Sequence, residues 1–245
     1  MKLSLVFLAA LAAGCASVAL RPAALEGQHE TSFQATVTKR VGAKYLVFLP
    51  RGFGKDTKRL WPTILFLHGS GERGDDLAKV KVNGPPKFLD RRPDFPFIVL
   101  SPQAPDDGDW NPDVLNALLD DALTRYPVDP DRIYLTGLSM GGIGAYALAT
   151  EHPERFAAVA PVSGFGDSDR ACRLKNLPLR AYHGGKDATV LPADDQAEVE
   201  AINACGGRAK MNLYPEAGHD VWNLVYADQD LYNWFLRQTR GHPAD

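Results

Sequence analysis

The amino-acid sequence predicts an α/β protein built on a mainly parallel sheet with helices on both faces. Short apolar runs alternate along the chain with segments that are apolar at helical spacing, and this alternation is typical of such sheets. Residues 63–67 form a continuous apolar run, as in a strand covered on both faces. With 245 residues and 45% hydrophobic content, the chain can bury a full core as one domain.

The predicted elements begin with an antiparallel hairpin near the N-terminus. Residues 33–38 and 43–49 alternate enough to form its two strands, joined by a turn near Gly42. Later strands are predicted at residues 63–67, 97–100, 132–136, 156–162, 177–182 and 210–214, and helices at 111–123, 143–149, 193–204 and 222–236. Ligands bind beyond the carboxyl ends of the strands in such sheets, so we expect the site among the loops on that edge.

The N-terminal residues are predicted to be a targeting segment and not part of the folded domain. Lys2 precedes an apolar run over residues 3–13, which is short for a membrane span. The sequence from Ala12 to Cys15 resembles a bacterial lipobox, in which the cysteine becomes the lipidated first residue of the mature protein. Ordinary cleavage near Ala16 and an uncleaved anchor are the alternatives.

This interpretation divides the chain into three parts. Residues 1–16 are the expected signal peptide, residues 17–30 a tether and residues 31–240 the main domain. The expected location is outside the cytoplasm, either in the periplasm or at the outer membrane, to which a lipidated Cys15 would attach the protein.

Charge and cysteine content narrow the function classes. A net charge of −3 and an isoelectric point near 6.1 give no electrostatic surface for nucleic acid. In an oxidising compartment Cys172 and Cys205 are expected to form a disulfide, with free buried thiols as the alternative. Neither cysteine lies in a C-x-x-C pair, and the sequence has no H-E-x-x-H pattern and no P-loop. We therefore expect no metal and no nucleotide cofactor.

A G-x-S-x-G turn lies between the strand at 132–136 and the helix at 143–149. In that turn Ser139 is forced into a sharp strand-to-helix bend that exposes its hydroxyl. Gly137 and Gly141 are required there because Cβ atoms would clash with the neighbouring strand and helix. The amides at the helix start favour negative charge beside the serine. Ser139 is therefore the predicted nucleophile, and a helix-capping serine is the alternative.

An acid and a histidine follow the serine in the order that this architecture uses. Asp187 lies in the loop after the strand at 177–182, and His219 in the loop after the strand at 210–214. A serine hydroxyl needs a base to take its proton, and the base needs an acid to hold its tautomer. His68 and His183 are weaker candidates for the base, since ring packing or supporting hydrogen bonds suit their positions better. A helix-entry turn is the alternative for Asp187.

The loop from His68 to Gly74 matches the G-x-G-x-x-G fingerprint of dinucleotide-binding proteins. That fingerprint requires a long helix directly afterwards and an acid at the end of the next strand, and the sequence supplies neither. A glycine-rich turn at this strand end can instead direct a backbone N–H at a developing oxyanion. The predicted oxyanion donors are the amides of Ser70 and Met140.

The chain resembles the α/β-hydrolases, in particular the secreted bacterial branch related to feruloyl and acetyl-xylan esterases and to prolyl-oligopeptidase-like peptidases. The resemblance covers residues 45–236, and its motifs identify the fold and the triad but not the substrate. These motifs are LHGSGERG at 67–74, SPQ at 101–103, DPDRIY at 129–134, GLSMGG at 137–142, RFAA at 155–158, HGGKD at 183–187 and GHDVW at 218–222.

The resulting expectation is a serine hydrolase of carboxylic esters with short-acyl or aromatic groups, including esters linked to polysaccharides. A prolyl-oligopeptidase-like serine peptidase and an inactive binding lipoprotein are the alternatives. Residues 163–176 are too few for a lid, which favours an open cleft. The residues proposed for its wall are Trp110, Trp222, Gln103 and Arg73, with packing or solvated-surface roles as the alternative for each.

Overall fold

The computed structural model describes residues 38–242, and the elements below belong to that part of the chain. Its strands are β1 (Tyr45–Phe48), β2 (Trp61–Leu67), β3 (Ile98–Pro102), β4 (Val128–Leu138), β5 (Ala158–Val162), β6 (Arg180–Gly184) and β7 (Lys210–Tyr214). Its helices are α1 (Pro86–Leu89), α2 (Pro112–Arg125), α3 (Met140–Glu151), α4 (Pro192–Ala204), α5 (Trp222–Val225) and α6 (Gln229–Arg237). Short 3-10 helices cover Ser70–Glu72, Lys79–Lys81, Pro153–Arg155 and Ser168–Leu174.

The strands form one seven-stranded sheet in the order β1-β3-β2-β4-β5-β6-β7. All neighbouring pairs are parallel except β1 with β3, where Tyr45 is opposite Pro102. The expected α/β class with a mainly parallel sheet is therefore confirmed. The predicted first hairpin strand lies outside the described residues except for Thr38, which is not in a strand. The predicted signal peptide and tether also lie outside them.

Helices cover both faces of the sheet because strand side chains alternate between two apolar clusters. On β2, Leu65 and Leu67 belong to one cluster, whereas Ile64 and Phe66 belong to the other. The first cluster includes buried residues of α2, α3 and α4, namely Leu115, Leu118, Tyr146, Leu148, Val199 and Ile202. The second includes buried residues of α1, α5 and α6, namely Leu89, Val225, Leu231, Tyr232, Trp234 and Phe235. Every residue of β2 is buried, as the apolar run predicts.

The last predicted helix is interrupted in the structure. The sequence pattern predicts one helix over residues 222–236, but α5 ends at Val225 and α6 starts at Gln229. Asp228 is the N-cap of α6, and its carboxylate accepts a hydrogen bond from the Asp230 N–H at 2.9 Å. Because a capping aspartate satisfies an N–H that a continuing helix would use, it starts a new helix at this point.

Cys172 and Cys205 are joined by a disulfide with their Cα atoms 5.3 Å apart. Cys172 lies in the 3-10 helix that follows β5, and Cys205 is the C-cap of α4. Among the described residues, this 3-10 helix is the only helical segment between β5 and β6. The disulfide joins it to the end of α4, the helix that follows β6. Over residues 38–242, no helix is both long enough and apolar enough to span a membrane.

Replacing both cysteines, as Cys172→Ser with Cys205→Ser, is expected to lower the free energy of unfolding by about 3–4 kcal/mol. The reason is that the bond closes a loop of 33 residues and so restricts the unfolded chain. Urea unfolding of wild type and variant, each with and without reductant, measures the difference. Reductant should destabilise the wild type alone. A wild-type midpoint that reduction does not move would contradict this expectation.

Candidate active site

Ser139 lies at the turn between β4 and α3 with a φ of 53°, in the left-handed region. A Cβ atom at Gly137 would collide with the Gly141 carbonyl oxygen, and one at Gly141 would collide with the Leu67 carbonyl oxygen. The two glycines thus allow the start of α3 to approach the ends of β2 and β4. The strained backbone at Ser139 is the cost of this close turn, and it places the hydroxyl above the carboxyl edge of the sheet.

The structure brings the three predicted residues of the triad into one hydrogen-bonded chain. The Ser139 hydroxyl lies 2.9 Å from Nε2 of His219, and Nδ1 of His219 lies 2.7 Å from Oδ2 of Asp187. Ser139 follows β4, Asp187 follows β6 and His219 follows β7, so three strands on the same side of the sheet supply the three side chains, with β5 between the first two. Because the Asp187 carboxylate accepts the Nδ1–H, Nε2 is left as the acceptor for the serine proton.

Asp187 is a buried carboxylate with several hydrogen-bond donors. Its Oδ1 accepts hydrogen bonds from the backbone N–H groups of Thr189 at 2.9 Å and Val190 at 3.0 Å. Burial raises the pKa of Asp187, but the bond from His219 and the two amide bonds outweigh burial and lower that pKa below its ordinary value. Asp187 therefore stays ionised at neutral pH. The same carboxylate closes a local turn with these two amides, but this turn does not start a helix, since α4 begins at Pro192 with Leu191 as its N-cap.

His68 is fully buried and fixed in one neutral tautomer. Its Nδ1 donates to the Gly69 carbonyl at 2.6 Å, and its Nε2 accepts from the Ala104 N–H at 3.0 Å. Burial lowers the pKa of His68, which agrees with a neutral ring. The Gly69 carbonyl and the Ser70 N–H belong to one peptide plane and point in opposite directions. His68 therefore sets the direction of the Ser70 N–H.

Glu72 holds the same loop from the other side, and sequence reasoning gave it no role. Its Oε2 accepts from the Gly69 N–H at 2.9 Å, and its Oε1 accepts from the Asn83 side-chain amide at 2.7 Å. A glutamate three residues after an N-cap is the signal that could have identified it, since that spacing lets the side chain reach back to the cap. Glu72 is buried, so its carboxylate is a fixed part of the loop.

The amides of Ser70 and Met140 are both available for a ligand. Neither N–H has a hydrogen-bond acceptor among residues 38–242. Met140 is the first residue of α3, where an N–H has no partner within the helix. These are the two donors that the sequence predicts for an oxyanion, and the structure supplies both at the carboxyl edge of the sheet.

The four residues predicted for the cleft wall have different surroundings. The Trp222 ring lies edge-on to the His219 ring with centroids 5.0 Å apart. Trp110 donates its indole N–H to the His68 carbonyl at 3.1 Å. Gln103 is buried, and its amide donates to two carbonyls of the loop, those of Glu72 and Asp76, at 2.9 Å each. Arg73 forms an ion pair with Asp109.

These contacts favour the packing alternative for Trp110 and Gln103. Both side chains donate hydrogen bonds to backbone carbonyls of the loop that carries Ser70. A Cβ atom at Gly144 would lie 2.6 Å from the Trp110 ring, so this ring also packs closely against α3. Trp222 is only partly buried and lies beside His219, and its role in the cleft wall stays a prediction.

Ser163 is a further site residue that the sequence does not reveal. It is the only residue besides Ser139, glycines excluded, with a positive φ among the described residues, at 48°. It is buried at the end of β5, and its hydroxyl donates to the His219 carbonyl at 2.9 Å while its N–H donates to the Tyr182 carbonyl at 2.9 Å. Ser163 therefore fastens the His219 loop to the sheet.

A serine on a strand–helix turn, followed in the chain by an acid and a histidine at later strand ends, defines an α/β-hydrolase. No group of three or more histidine, cysteine, aspartate or glutamate side chains that could hold a metal ion occurs in the described part of the chain.

Comparison with known proteins agrees with that class. The model of a family described as "Putative esterase" matches residues 83–216, which is more than half of the chain. The chain is 43% identical over 171 residues to "Putative esterase NocK" of Nocardia uniformis subsp. tsuyamanensis, covering 56% of this chain and 45% of that protein. It is 28% identical over 177 residues to "Probable feruloyl esterase C" of Aspergillus terreus, covering 68% and 64%.

A solved structure shows the same relationship. The crystal structure of a thermostable esterase matches with a TM-score of 0.68 at 28% identity, over 80% of this chain and 59% of the other. The chain thus spans less than two thirds of the length of the relatives named above. It belongs to this esterase family within the α/β-hydrolases.

Gly141→Ala is expected to lower the free energy of unfolding by about 3 kcal/mol or more, because the new methyl group would overlap backbone atoms that cannot move aside. Gly71→Ala is the matched control: a Cβ there has no neighbour within 4 Å, so the expected change is within about 0.5 kcal/mol. Chemical denaturation of the three proteins measures both values. Equal stability of the two variants would show that the close approach at Gly141 is not a constraint.

Proposed function

We propose that the protein is a serine hydrolase of carboxylic esters, with Ser139 as nucleophile, His219 as general base and Asp187 as the residue that orients His219. The observation that carries this proposal is the unbroken chain of hydrogen bonds from Ser139 to His219 to Asp187, at 2.9 and 2.7 Å. Membership of the esterase family supports the same reaction class.

In the first half of the reaction, Ser139 Oγ attacks the ester carbonyl while its proton passes to Nε2 of His219. The carbonyl oxygen becomes an oxyanion, for which Ser70 and Met140 supply backbone N–H donors. Collapse of this intermediate breaks the bond to the alcohol, which leaves with the proton from His219. In the second half, water attacks the acyl-enzyme, His219 takes its proton, and Ser139 recovers that proton as the acid departs.

The proposed substrates carry short-acyl or aromatic groups, including acyl groups linked to polysaccharides. The name of the Aspergillus relative, a feruloyl esterase, supports an aromatic acyl group. Only one 3-10 helix, Ser168–Leu174, lies between β5 and β6, and a disulfide fixes it, so this segment lacks the length of a lid. Exposed apolar side chains lie in the segments that follow β5, β6 and β7, which suits an apolar group lying in an open cleft; they are Phe165, Leu191 and Leu224.

We also propose that the protein is exported from the cytoplasm. The disulfide between Cys172 and Cys205 supports it, because such bonds persist in oxidising compartments and are rare in the cytosol. Lipidation of Cys15 remains a proposal that rests on the sequence around that residue. Mass spectrometry of the mature protein would distinguish a lipidated N-terminal cysteine, a plain cut near Ala16 and an intact N-terminal segment.

The direct test is hydrolysis of p-nitrophenyl acetate, butyrate and octanoate and of methyl ferulate. Ser139→Ala is expected to lower kcat by at least about 10³-fold, since it removes the attacking oxygen. The preference among the acyl groups then defines the substrate class. A variant that hydrolyses these esters as fast as wild type would refute the role of Ser139. Activity confined to amides in a paired ester and amide series would instead identify a peptidase.

One of the two proposed oxyanion donors, the Ser70 N–H, can be removed by a substitution that leaves the Met140 N–H in place. Ser70→Pro removes the backbone N–H donor together with the side-chain hydroxyl, and it is expected to lower kcat by about 10²–10³-fold because of the lost N–H. Proline suits the first position of a helical turn, and Gly69, with φ −81° and ψ 179°, already has the extended backbone that precedes proline.

Ser70→Ala is the matched control for this deletion, because it keeps the N–H and loses only an exposed hydroxyl. Its activity should remain within about twofold of wild type. A Ser70→Pro protein that folds and turns over as fast as Ser70→Ala would exclude this amide from the oxyanion site.

A further inference from the structure

A second buried histidine lies directly behind the triad, and the proposed mechanism does not use it. The His183 ring is fully buried, and Asp195 on α4 is fully buried beside it. Nδ1 of His183 lies 2.8 Å from Oδ2 of Asp195, and its Nε2 lies 3.0 Å from the Val190 carbonyl oxygen. The same Nε2 is 3.3 Å from Oδ2 of Asp187, the oxygen that accepts the His219 N–H. Two imidazole rings therefore contact one carboxylate oxygen.

The surroundings of His183 determine its protonation. The Val190 carbonyl can only accept a hydrogen bond, so Nε2 must carry a proton. Nδ1 faces the Asp195 carboxylate, whose other oxygen accepts the Tyr146 hydroxyl at 2.6 Å. Both ring nitrogens thus face acceptors, which favours the doubly protonated imidazolium.

The pKa direction of His183 agrees with this assignment, whereas burial shifts the pKa of Asp195 the opposite way, so the assignment rests on the hydrogen-bond geometry. Burial lowers the pKa of His183, but the bond to Asp195, the Val190 carbonyl and the charges of Asp195 and Asp187 outweigh burial and raise it. Burial raises the pKa of Asp195, and the hydrogen bonds from His183 and Tyr146 offset part of that rise. One proton bound between the two side chains is expected to lie on the histidine.

The charged groups around this pair come from three elements. Asp187 lies in the loop that follows β6, the strand that carries His183. Asp195 lies in the first turn of α4, and Tyr146 on α3 reaches the pair through Asp195. Glu198 lies one turn further along α4, where it accepts a hydrogen bond from the Ser168 hydroxyl. Among the described residues, His183 is therefore the one basic side chain that contacts both the Asp187 and the Asp195 carboxylates.

We propose that His183 is a positioning residue of the active site: a buried imidazolium, held by Asp195, that fixes the Asp187 carboxylate and supplies a positive charge next to it. Its catalytic consequence rests on the proposed function. Val190 reinforces the arrangement, because its N–H donates to Asp187 and its carbonyl accepts from His183. Through Tyr146, the cluster also joins the helix that follows Ser139 to the loop of the triad acid.

The predicted effect on pH dependence has a definite sign. The positive charge on His183 disfavours protonation of His219, since both rings contact Oδ2 of Asp187. Loss of that charge should stabilise protonated His219, which cannot act as a base. The acid limb of kcat/KM should therefore move to higher pH, by about half a pH unit or more.

The test compares His183→Gln and Asp195→Asn with Asp194→Asn as the matched control. Asp194 is the sequence neighbour of Asp195 but is exposed, with no side-chain bond to the cluster. For p-nitrophenyl acetate, the first two variants should show kcat lowered by about tenfold with KM nearly unchanged, since the loss is one of alignment. Both should also show the shifted acid limb, and Asp194→Asn should match wild type.

A spectroscopic measurement tests the imidazolium without reference to turnover. In ¹⁵N-labelled wild type at neutral pH, His183 should show two slowly exchanging ring N–H signals, assigned by their absence in His183→Gln. Asp195→Asn should retain only the Nε2–H, because a neutral amide can donate to an unprotonated Nδ1. If His183→Gln does not fold, the comparison of Asp195→Asn with Asp194→Asn still tests the imidazolium. The His183 ring N–H signals are then assigned by through-bond NMR experiments.

The outcomes separate this proposal from the proposed function. A single His183 ring N–H in wild type would overturn the imidazolium. Two ring signals with unchanged kcat and pH profile in both variants would overturn the positioning role while leaving the esterase intact. Absence of both ester hydrolysis and labelling of Ser139 by a fluorophosphonate in wild type would refute the proposed function, and the role of His183 with it.

Discussion

The close approach of α3 to the ends of β2 and β4 is the constraint on which the site depends. A Cβ atom at Gly137 or Gly141 would overlap a backbone carbonyl, so this approach requires glycine at both positions. Because α3 starts so near the sheet, Ser139 is forced to a φ of 53°, and Met140 is the first residue of α3, where its N–H has no partner within the helix. One backbone constraint thus positions the proposed nucleophile and one of the two proposed oxyanion donors.

Buried acids complete the site by holding backbone amides in fixed directions. Glu72 accepts the Gly69 N–H and an asparagine amide, and Asp187 accepts two loop amides besides His219. Buried carboxylates are costly unless their oxygens have donors, so each satisfied acid restricts its loop to one conformation. Such restriction is what catalysis requires, because donors that are already aligned need no reorganisation during the reaction. The oxyanion loop and the triad loop are built in the same way.

The sequence is sufficient to predict the elements of the sheet and the three residues that the structure joins, because both depend on local pattern and chain order. The supporting residues could not be predicted in the same way. Asp195 has the sequence position of an ordinary first-turn helix aspartate, and its bonds to His183 and Tyr146 come from the packing of α4 against α3 and β6. Ser163 contacts a carbonyl 56 residues later in the chain. No periodicity or spacing encodes contacts of this kind.

The charges behind His219 explain why a second histidine belongs there. In the proposed mechanism His219 becomes an imidazolium during acylation, and the Asp187 charge stabilises it. Asp195 is buried next to His183, and two uncompensated carboxylates at this depth would hold the proton on His219 too firmly for it to reach the leaving alcohol. With His183 protonated, the three groups carry a net charge of one negative unit. That charge is enough to stabilise the imidazolium as it forms and small enough to let it release its proton.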